Sequence, residues 1–310
     1  IIGAGGQLGT VLTQALRDIY GNDQVVRSDM RTLDNISGPF EVIDATDAGR
    51  IEEVVKKYAI EEIYHLAAIL SANGEKDPLG TWDINMKTLF NVLEVSRLNG
   101  VKKVFYPSSI AVFGSEVDQQ NTPQASCLNP STVYGISKAA GENWAQYYFE
   151  RYGLDVRSLR YPGVIGYQSL PGGGTTDYAV DIYHKAIAGE NFSCFLDEHT
   201  TLPMIYMDDA IRATIELMQA PKESIKTRTS YNLAGMSFSP KEIAASIMKV
   251  YPDFEITYDP DFRQQIAASW PQSIDDAKAR ADWGWKPAYD LESMTTDMIK
   301  NLKLKYSTTE

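Results

Sequence analysis

The sequence predicts a doubly wound α/β fold, a parallel sheet with helices on both faces, followed by a smaller α/β lobe. Three observations predict it. Short apolar runs alternate with helical patterns through the first half of the 310-residue chain. Three glycines, Gly3, Gly6 and Gly9, fall between the first run and the first helix, and an acid, Asp29, closes the second run. Strands alternating with helices of this length imply βαβ units, and right-handed crossovers wind them to both sides.

Ile1-Ile2 is the stub of a first strand, and Leu8 to Ile19 carries apolar residues at helical spacing (Leu8, Val11, Leu12, Ala15, Leu16, Ile19). Val25-Val26 and Glu41 to Ile43 read as the second and third strands, Ile51 to Tyr58 as a helix and Ile63 to Leu66 as the fourth strand. A long helix from Trp82 to Leu98 stops at Asn99-Gly100, a C-terminal signal. Val104 to Tyr106 is the fifth strand; after the polar loop Asn121 to Thr132 come a helix over Val133 to Tyr152 and a sixth strand, Val156 to Leu159. Beyond it, helices are expected at Asp177–Ala188, Asp208–Met218, Pro240–Val250 and Ile274–Asp282, with the glycine loop from Pro171 to Gly174 ahead of them. The division expected is a nucleotide-binding body over residues 1–165, to which some later segments return, and a substrate lobe over 166–310.

Charge narrows the function. Lys+Arg total 29 against 41 Asp+Glu, a net charge of −12. Without a basic tract, neither nucleic acid nor an anionic membrane is an expected partner. No apolar run is long enough to span a bilayer, so a soluble protein is expected. The three histidines and two cysteines (Cys127 and Cys194) form no metal-ligand pattern, so no metal is predicted and both thiols are expected to be buried, as in a reducing compartment. The chain opens partway along a strand, so any targeting segment would precede Ile1.

In Gly3-Ala4-Gly5-Gly6-Gln7-Leu8-Gly9, the glycines suit a tight turn, close approach to a pyrophosphate and close packing of helix on strand. The helix start at Gln7 and Leu8 offers free N–H groups to the phosphates. The same triplet also suits a plain turn. Asp29, about 20 residues further on, stands where a carboxylate accepts a ribose 2′-OH. That favours NAD over NADP, with the cations Arg27 and Arg31 as the counterweight.

Tyr134 and Lys138 lie four residues apart on one helical face. A phenol of pKa about 10 is a poor base near neutrality, and a neighbouring ammonium, joined by a positive nicotinamide ring, pulls it towards the working range. The spacing also suits an amphipathic helix with an exposed Lys and a half-buried Tyr.

The glycine triplet, the HLAA of His65 to Ala68, Ser108-Ser109 ahead of Val112-Phe113-Gly114, the YGISK of Tyr134 to Lys138 and the closing Asp282-Trp283-Gly284-Trp285-Lys286-Pro287 together resemble the extended short-chain dehydrogenase/reductase family over nearly the whole chain. The resemblance implies a Rossmann body, NAD as cofactor and a catalytic set of Tyr134, Lys138 and Ser109. Tyr134 would be the acid/base, Lys138 would lower its pKa and hold the nicotinamide ribose, and Ser109 would bind the reacting oxygen. It places Asp44-Ala45 at the adenine, Leu66, Ala67 and Ala68 along the middle of the cofactor, and Asn85 at a structural or proton-relay position. Tyr161 and Pro162 fall in the turn that meets the carboxamide. Phe113 departs from the tyrosine usual in its motif.

Within that family the segment from Gly172 to Ala179 is similar to the branch that oxidises L-threonine to 2-amino-3-oxobutyrate. Thr175 and Thr176 there offer hydroxyls to an amino acid, though two threonines also suit a helix cap. Ser71 is a further substrate contact, and Trp270 closes the pocket or belongs to the core. A UDP-sugar 4-epimerase shares the same triad, and a noncatalytic NAD-binding protein shares the glycine loop. The resemblance also implies a homodimer through the helices Trp82–Leu98 and Val133–Tyr152, located in the cytoplasm or, in a eukaryote, the mitochondrial matrix.

Overall fold

The computed structural model describes residues 1–33, 37–172 and 174–307. Its first half runs α1 (Gln7–Tyr20), β1 (Arg27–Asp29), β2 (Phe40–Val42), α2 (Ala48–Lys57), β3 (Glu62–Tyr64), a single turn α3 (Ser71–Gly74), α4 (Pro78–Leu98), β4 (Lys103–Ser109), α5 (Val133–Tyr152) and β5 (Asp155–Tyr161). Ile2 bridges Ser28 on one side and His65 on the other, both parallel. The sheet order is therefore β2, β1, Ile2, β3, β4, β5, and every pairing in it is parallel. The chain leaves Ile2 first towards β1 and later towards β3. The glycine loop thus sits at the topological switch point, where doubly wound sheets bind ligands.

The second half adds β6 (Gly163–Ile165), α6 (Tyr178–Ala188), β7 (Phe192–Cys194), β8 (Leu202–Tyr206), α7 (Met207–Gln219), β9 (Tyr231–Asn232), β10 (Met236–Phe238), α8 (Pro240–Met248), β11 (Ile256–Tyr258), α9 (Phe262–Ala268), α10 (Ala277–Trp283) and α11 (Leu291–Ser307). β8 stands between antiparallel β10 and parallel β6, and β7 pairs with β11. Not all of this half lies apart from the first. β9 extends the main sheet beyond β5. α7 and α10 share a core with α1, where Leu12 and Leu16 meet Ile211, Leu217 and Ala279.

Several boundaries differ from the sequence reading. The second strand pairs at Arg27–Asp29 rather than Val25-Val26, because the carbonyl and amide of Ser28 are the groups that meet Ile1 and Gly3. The helix expected from Ile274 begins at Ala277, since Ile274 is held in a bridge with Thr122. α9 and α11 were not foreseen; α11 buries Met294, Met298, Ile299 and Leu302, a stripe thinned by the polar residues around it. Cys194 is buried as expected but Cys127 is exposed, on the polar loop before α5. Among the described residues no helix is long and apolar enough to cross a membrane, and no group of acids, His and Cys could hold a metal ion.

A buried polar knot ties β4, α5 and β5 together beneath the loops that carry the site. Glu142 is fully buried and accepts from Arg160 at Nε (2.9 Å) and Nη2 (2.7 Å). The same carboxylate accepts from Ser108 Oγ at 2.6 Å, while Arg160 Nη1 reaches Asn232 Oδ1 on β9 at 3.0 Å. Removing one member strands an opposite charge in the interior. Glu142→Ala is expected to cost about 3–5 kcal/mol in urea unfolding. The double change Glu142→Ala with Arg160→Met should cost less, because no charge is then left unpaired.

Candidate active site

Thr132 sets the start of α5: its hydroxyl accepts from the Gly135 amide at 3.1 Å, which places Tyr134 and Lys138 on the first two turns. β4 ends at Ser109, which β5 holds in register with Tyr161. The Ser109 hydroxyl accepts from the Ala111 amide at 3.2 Å and hydrogen-bonds Tyr134. Lys138 Nζ donates to the Pro107 carbonyl at 2.6 Å and lies 5.5 Å from the centre of the Tyr134 ring. Strand end and helix start therefore bring phenol, hydroxyl and ammonium together.

Their protonation departs from the sequence expectation. Burial pushes the Tyr134 phenol up to about 12, against which the Ser109 hydrogen bond pulls it down. Burial pushes the Lys138 ammonium down to about 7, with the Glu142 carboxylate opposing the fall. Desolvation disfavours both charged forms, while the lowering expected of the phenol also drew on a bound, positively charged nicotinamide ring. His65, buried behind Lys138, is held down to about 3 by burial and by the lysine charge, so it stays neutral.

A cavity of about 290 Å³ opens in front of the three groups. Gly3, Gly6, Gln7, Leu8 and Gly9 line it, as do Leu66, Ala68, Tyr161 and Pro162. Ser71, Thr175, Thr176 and Trp270 line it too. A groove of about 920 Å³ shares Gly3, Gly6, Leu66 and Ala68 with it and continues past Ala67 to Asp29, Asp44 and Ala45. Asp29 accepts from the Gly5 amide at 2.9 Å. Asp44 accepts from the amide and hydroxyl of Thr46, both at 2.8 Å, which holds its carboxyl below the usual range. Arg31 lines this groove, whereas Arg27 does not.

Asn85 stands behind the wall. Its side chain takes the Ile69 amide (2.8 Å), gives to the Ile69 carbonyl (3.1 Å) and reaches Ser137 Oγ at 3.3 Å, pinning the segment after the HLAA run to α5. Some wall residues had no role in the sequence reading: Leu70, Ile110 and Val164 carry no polar chemistry to draw the eye. Asp177 was read only as a helix start, yet its carboxylate accepts from the Gly172 (2.7 Å) and Gly174 (2.8 Å) amides, tying both to the start of α6. Gly173, part of the same expected loop, lies outside the described residues.

The glycine loop fits a dinucleotide. Gly3 has φ +84°, and a β-carbon there would sit 2.8 Å from the Ala67 amide; one on Gly9 would sit 2.7 Å from Ala4 Cα. These two glycines are demanded by the protein's own packing. At Gly6 a β-carbon would find nothing nearer than the Gly3 carbonyl at 3.5 Å, so the space it leaves belongs to the groove. No side chain among the described residues caps α1, whose first amides face that space. A diphosphate supplies what they lack.

A dinucleotide cradle at the switch point, continuous with a half-buried phenol and a buried ammonium, is what an NAD-dependent oxidoreductase of the short-chain dehydrogenase/reductase type requires. The chain belongs to the NAD dependent epimerase/dehydratase family, whose model matches residues 1–234. It is 47% identical over 310 residues to an uncharacterized epimerase/dehydratase of Staphylococcus aureus (strain MRSA252), spanning 98% of this chain and 96% of that protein. Among solved structures it resembles the holo form of a GalE-like L-threonine dehydrogenase from Cupriavidus necator, with TM-score 0.96 and 53% identity over 97% of this chain and 98% of that one. It also resembles the apo form of a monomeric L-threonine 3-dehydrogenase from a metagenome, with TM-score 0.95 and 48% identity over 98% of both chains.

The two kinds of glycine should respond differently to substitution. Gly6→Ala is expected to keep the thermal midpoint of the free protein while weakening NAD at least about tenfold by calorimetry, the methyl standing in the groove. Gly9→Ala is expected to lower the midpoint itself.

Proposed function

We propose that this enzyme oxidises L-threonine at its side-chain hydroxyl to 2-amino-3-oxobutyrate, with NAD preferred over NADP. The observation that carries the reading is a pair of stranded polar atoms. Thr175 is 1% exposed and its hydroxyl has no hydrogen-bond partner among the described residues; Trp270 is 6% exposed and its indole N–H has none either. Both residues line the cavity that holds Tyr134 and Ser109. A buried polar atom left unpaired costs about 1–3 kcal/mol, a penalty that a bound ligand relieves. The indole only donates, so it calls for an acceptor such as a carboxylate, and the threonine hydroxyls suit either charged group of an amino acid. The likeness to L-threonine dehydrogenases across nearly the whole chain supports the same substrate.

In this reading Ser109 and Tyr134 hold the substrate hydroxyl between them. Tyr134, as phenolate, takes its proton while the carbon–oxygen single bond becomes a carbonyl. Lys138 offsets the phenolate charge and binds the nicotinamide ribose. NAD bound along Gly6, Leu66 and Ala68 supplies the acceptor for the hydrogen and two electrons that leave the substrate carbon. Thr175, Thr176, Ser71 and Trp270 orient the amino acid, and Asp29 accepts the adenosine ribose 2′-OH. Holding the partners in one geometry supplies a large part of the rate. The exposed Trp144 and Tyr147 on α5 give a homodimer its apolar contact; light scattering at micromolar concentration should return twice the mass of one chain.

A sugar-nucleotide 4-epimerase remains the second reading, favoured by the name of the S. aureus relative. It would turn over without added NAD and bind UDP; absence of heat on UDP titration removes it. The primary test is NADH formation at 340 nm with L-threonine and NAD, beside D-threonine and NADP controls. Silence with L-threonine would sink the proposal. Tyr134→Phe is expected to lower kcat by about 10²–10⁴ and leave NAD affinity intact. Thr175→Val should raise the KM for L-threonine about tenfold or more at unchanged NAD affinity.

A further inference from the structure

Lys138 is 4% exposed, and the hydrogen bond to the Pro107 carbonyl is its one such contact among the described residues. An ammonium has three donors and tolerates burial only where other groups favour its charge. The charged and titratable groups around it supply that only in part. The Glu142 carboxylate, one turn along α5, favours the ammonium but gives its oxygens to Arg160 of β5 and Ser108 of β4. His65 at the end of β3 is neutral. Tyr134 carries its proton in the free protein.

What faces the ammonium is an aromatic ring. Tyr106 of β4 is buried, and its ring centre lies 4.6 Å from Lys138 Nζ, nearer than that of Tyr134 at 5.5 Å. The ring occupies that place because residue 141 is glycine: a β-carbon on Gly141 would lie 2.5 Å from Tyr106 Cζ and overlap its hydroxyl. Helix and strand are thus matched around this ring. We propose that Tyr106, admitted by Gly141, is a positioning residue whose π face keeps Lys138 a cation. Burial already brings the lysine down to about 7, so a modest loss of support removes its charge at neutral pH. Only the kinetic consequence rests on the proposed oxidation.

The test is an NMR titration of the cofactor-free protein carrying lysine labelled with ¹³C at Cε, the Lys138 resonance being identified by its loss in Lys138→Met. Phenylalanine and analogues with one, two or three ring fluorines placed at position 106 keep the shape while draining the π face. The lysine pKa is expected to match the parent in Tyr106→Phe and to fall stepwise with fluorination, by about one pH unit in all. Tyr106→Leu should give the full fall. A lysine pKa unmoved across the fluorinated series overturns the proposal, as does a fall in Tyr106→Phe equal to that in Tyr106→Leu. Turnover of L-threonine at neutral pH should decline in step, up to about tenfold. Absence of threonine turnover in the parent would defeat the functional reading and leave the titration intact.

Discussion

The site depends on how closely α5 lies against β4. At Gly135 a β-carbon would overlap the carbonyl of Ala111, just past the end of β4, and at Gly141 it would lie 2.5 Å from Tyr106 Cζ. At two places along the helix, therefore, only glycine lets it approach. That approach sets Tyr134 and Lys138, carried by the helix, against Ser109 and Pro107, carried by the strand. The glycine loop repeats the device: Gly9 lets α1 lie against Gly3 and Ala4, Gly3 lets the loop lie against Ala67, and Gly6 leaves its space to the groove. The groove and the Tyr134 side thus meet where two helices lie close to the chain that precedes or faces them.

The same closeness brings an electrostatic cost. The phenol is half-buried and the ammonium buried, and burial pushes each towards its neutral form before anything binds. The Glu142–Arg160 pair, buried on both sides, holds the strand ends without lending net charge. Of the cavity wall, Thr175 and Trp270 each keep a buried polar atom without a partner among the described residues.

Much of this was legible in the residues. Alternating runs, a glycine triplet and a well-placed acid were enough for the doubly wound body, and the Tyr134–Lys138 spacing with Ser109 identified the groups that the structure gathers. Asp29, Asp44 and the small Ala67-Ala68 pair fall along the groove where expected. What stayed hidden depends on pairs distant in sequence. Gly141 gains meaning only from Tyr106, 35 residues away. The resemblance names Asn85 but not its partner, the Ile69 backbone 16 residues away; Asp177 is a local exception, its bonds to the Gly172 and Gly174 amides carrying no sequence signal. The burial that pushes the Tyr134 phenol up in the free protein was not legible, because spacing reports a neighbouring charge and says nothing of burial.

The body is not closed by its own half of the chain. β5 finds its outer neighbour only when Tyr231-Asn232 arrives as β9, and the face of α1 is covered by α7 and α10. A nascent chain that has emerged only as far as β5 therefore presents an open parallel edge and an uncovered apolar helix face. The intervening elements must be synthesised before either is protected. Edges of that kind invite pairing with other chains, and contacts so far apart in sequence form slowly. For this protein the hazardous interval in synthesis spans the residues between Tyr161 and Asn232, and protection by a chaperone would be needed there rather than at the end.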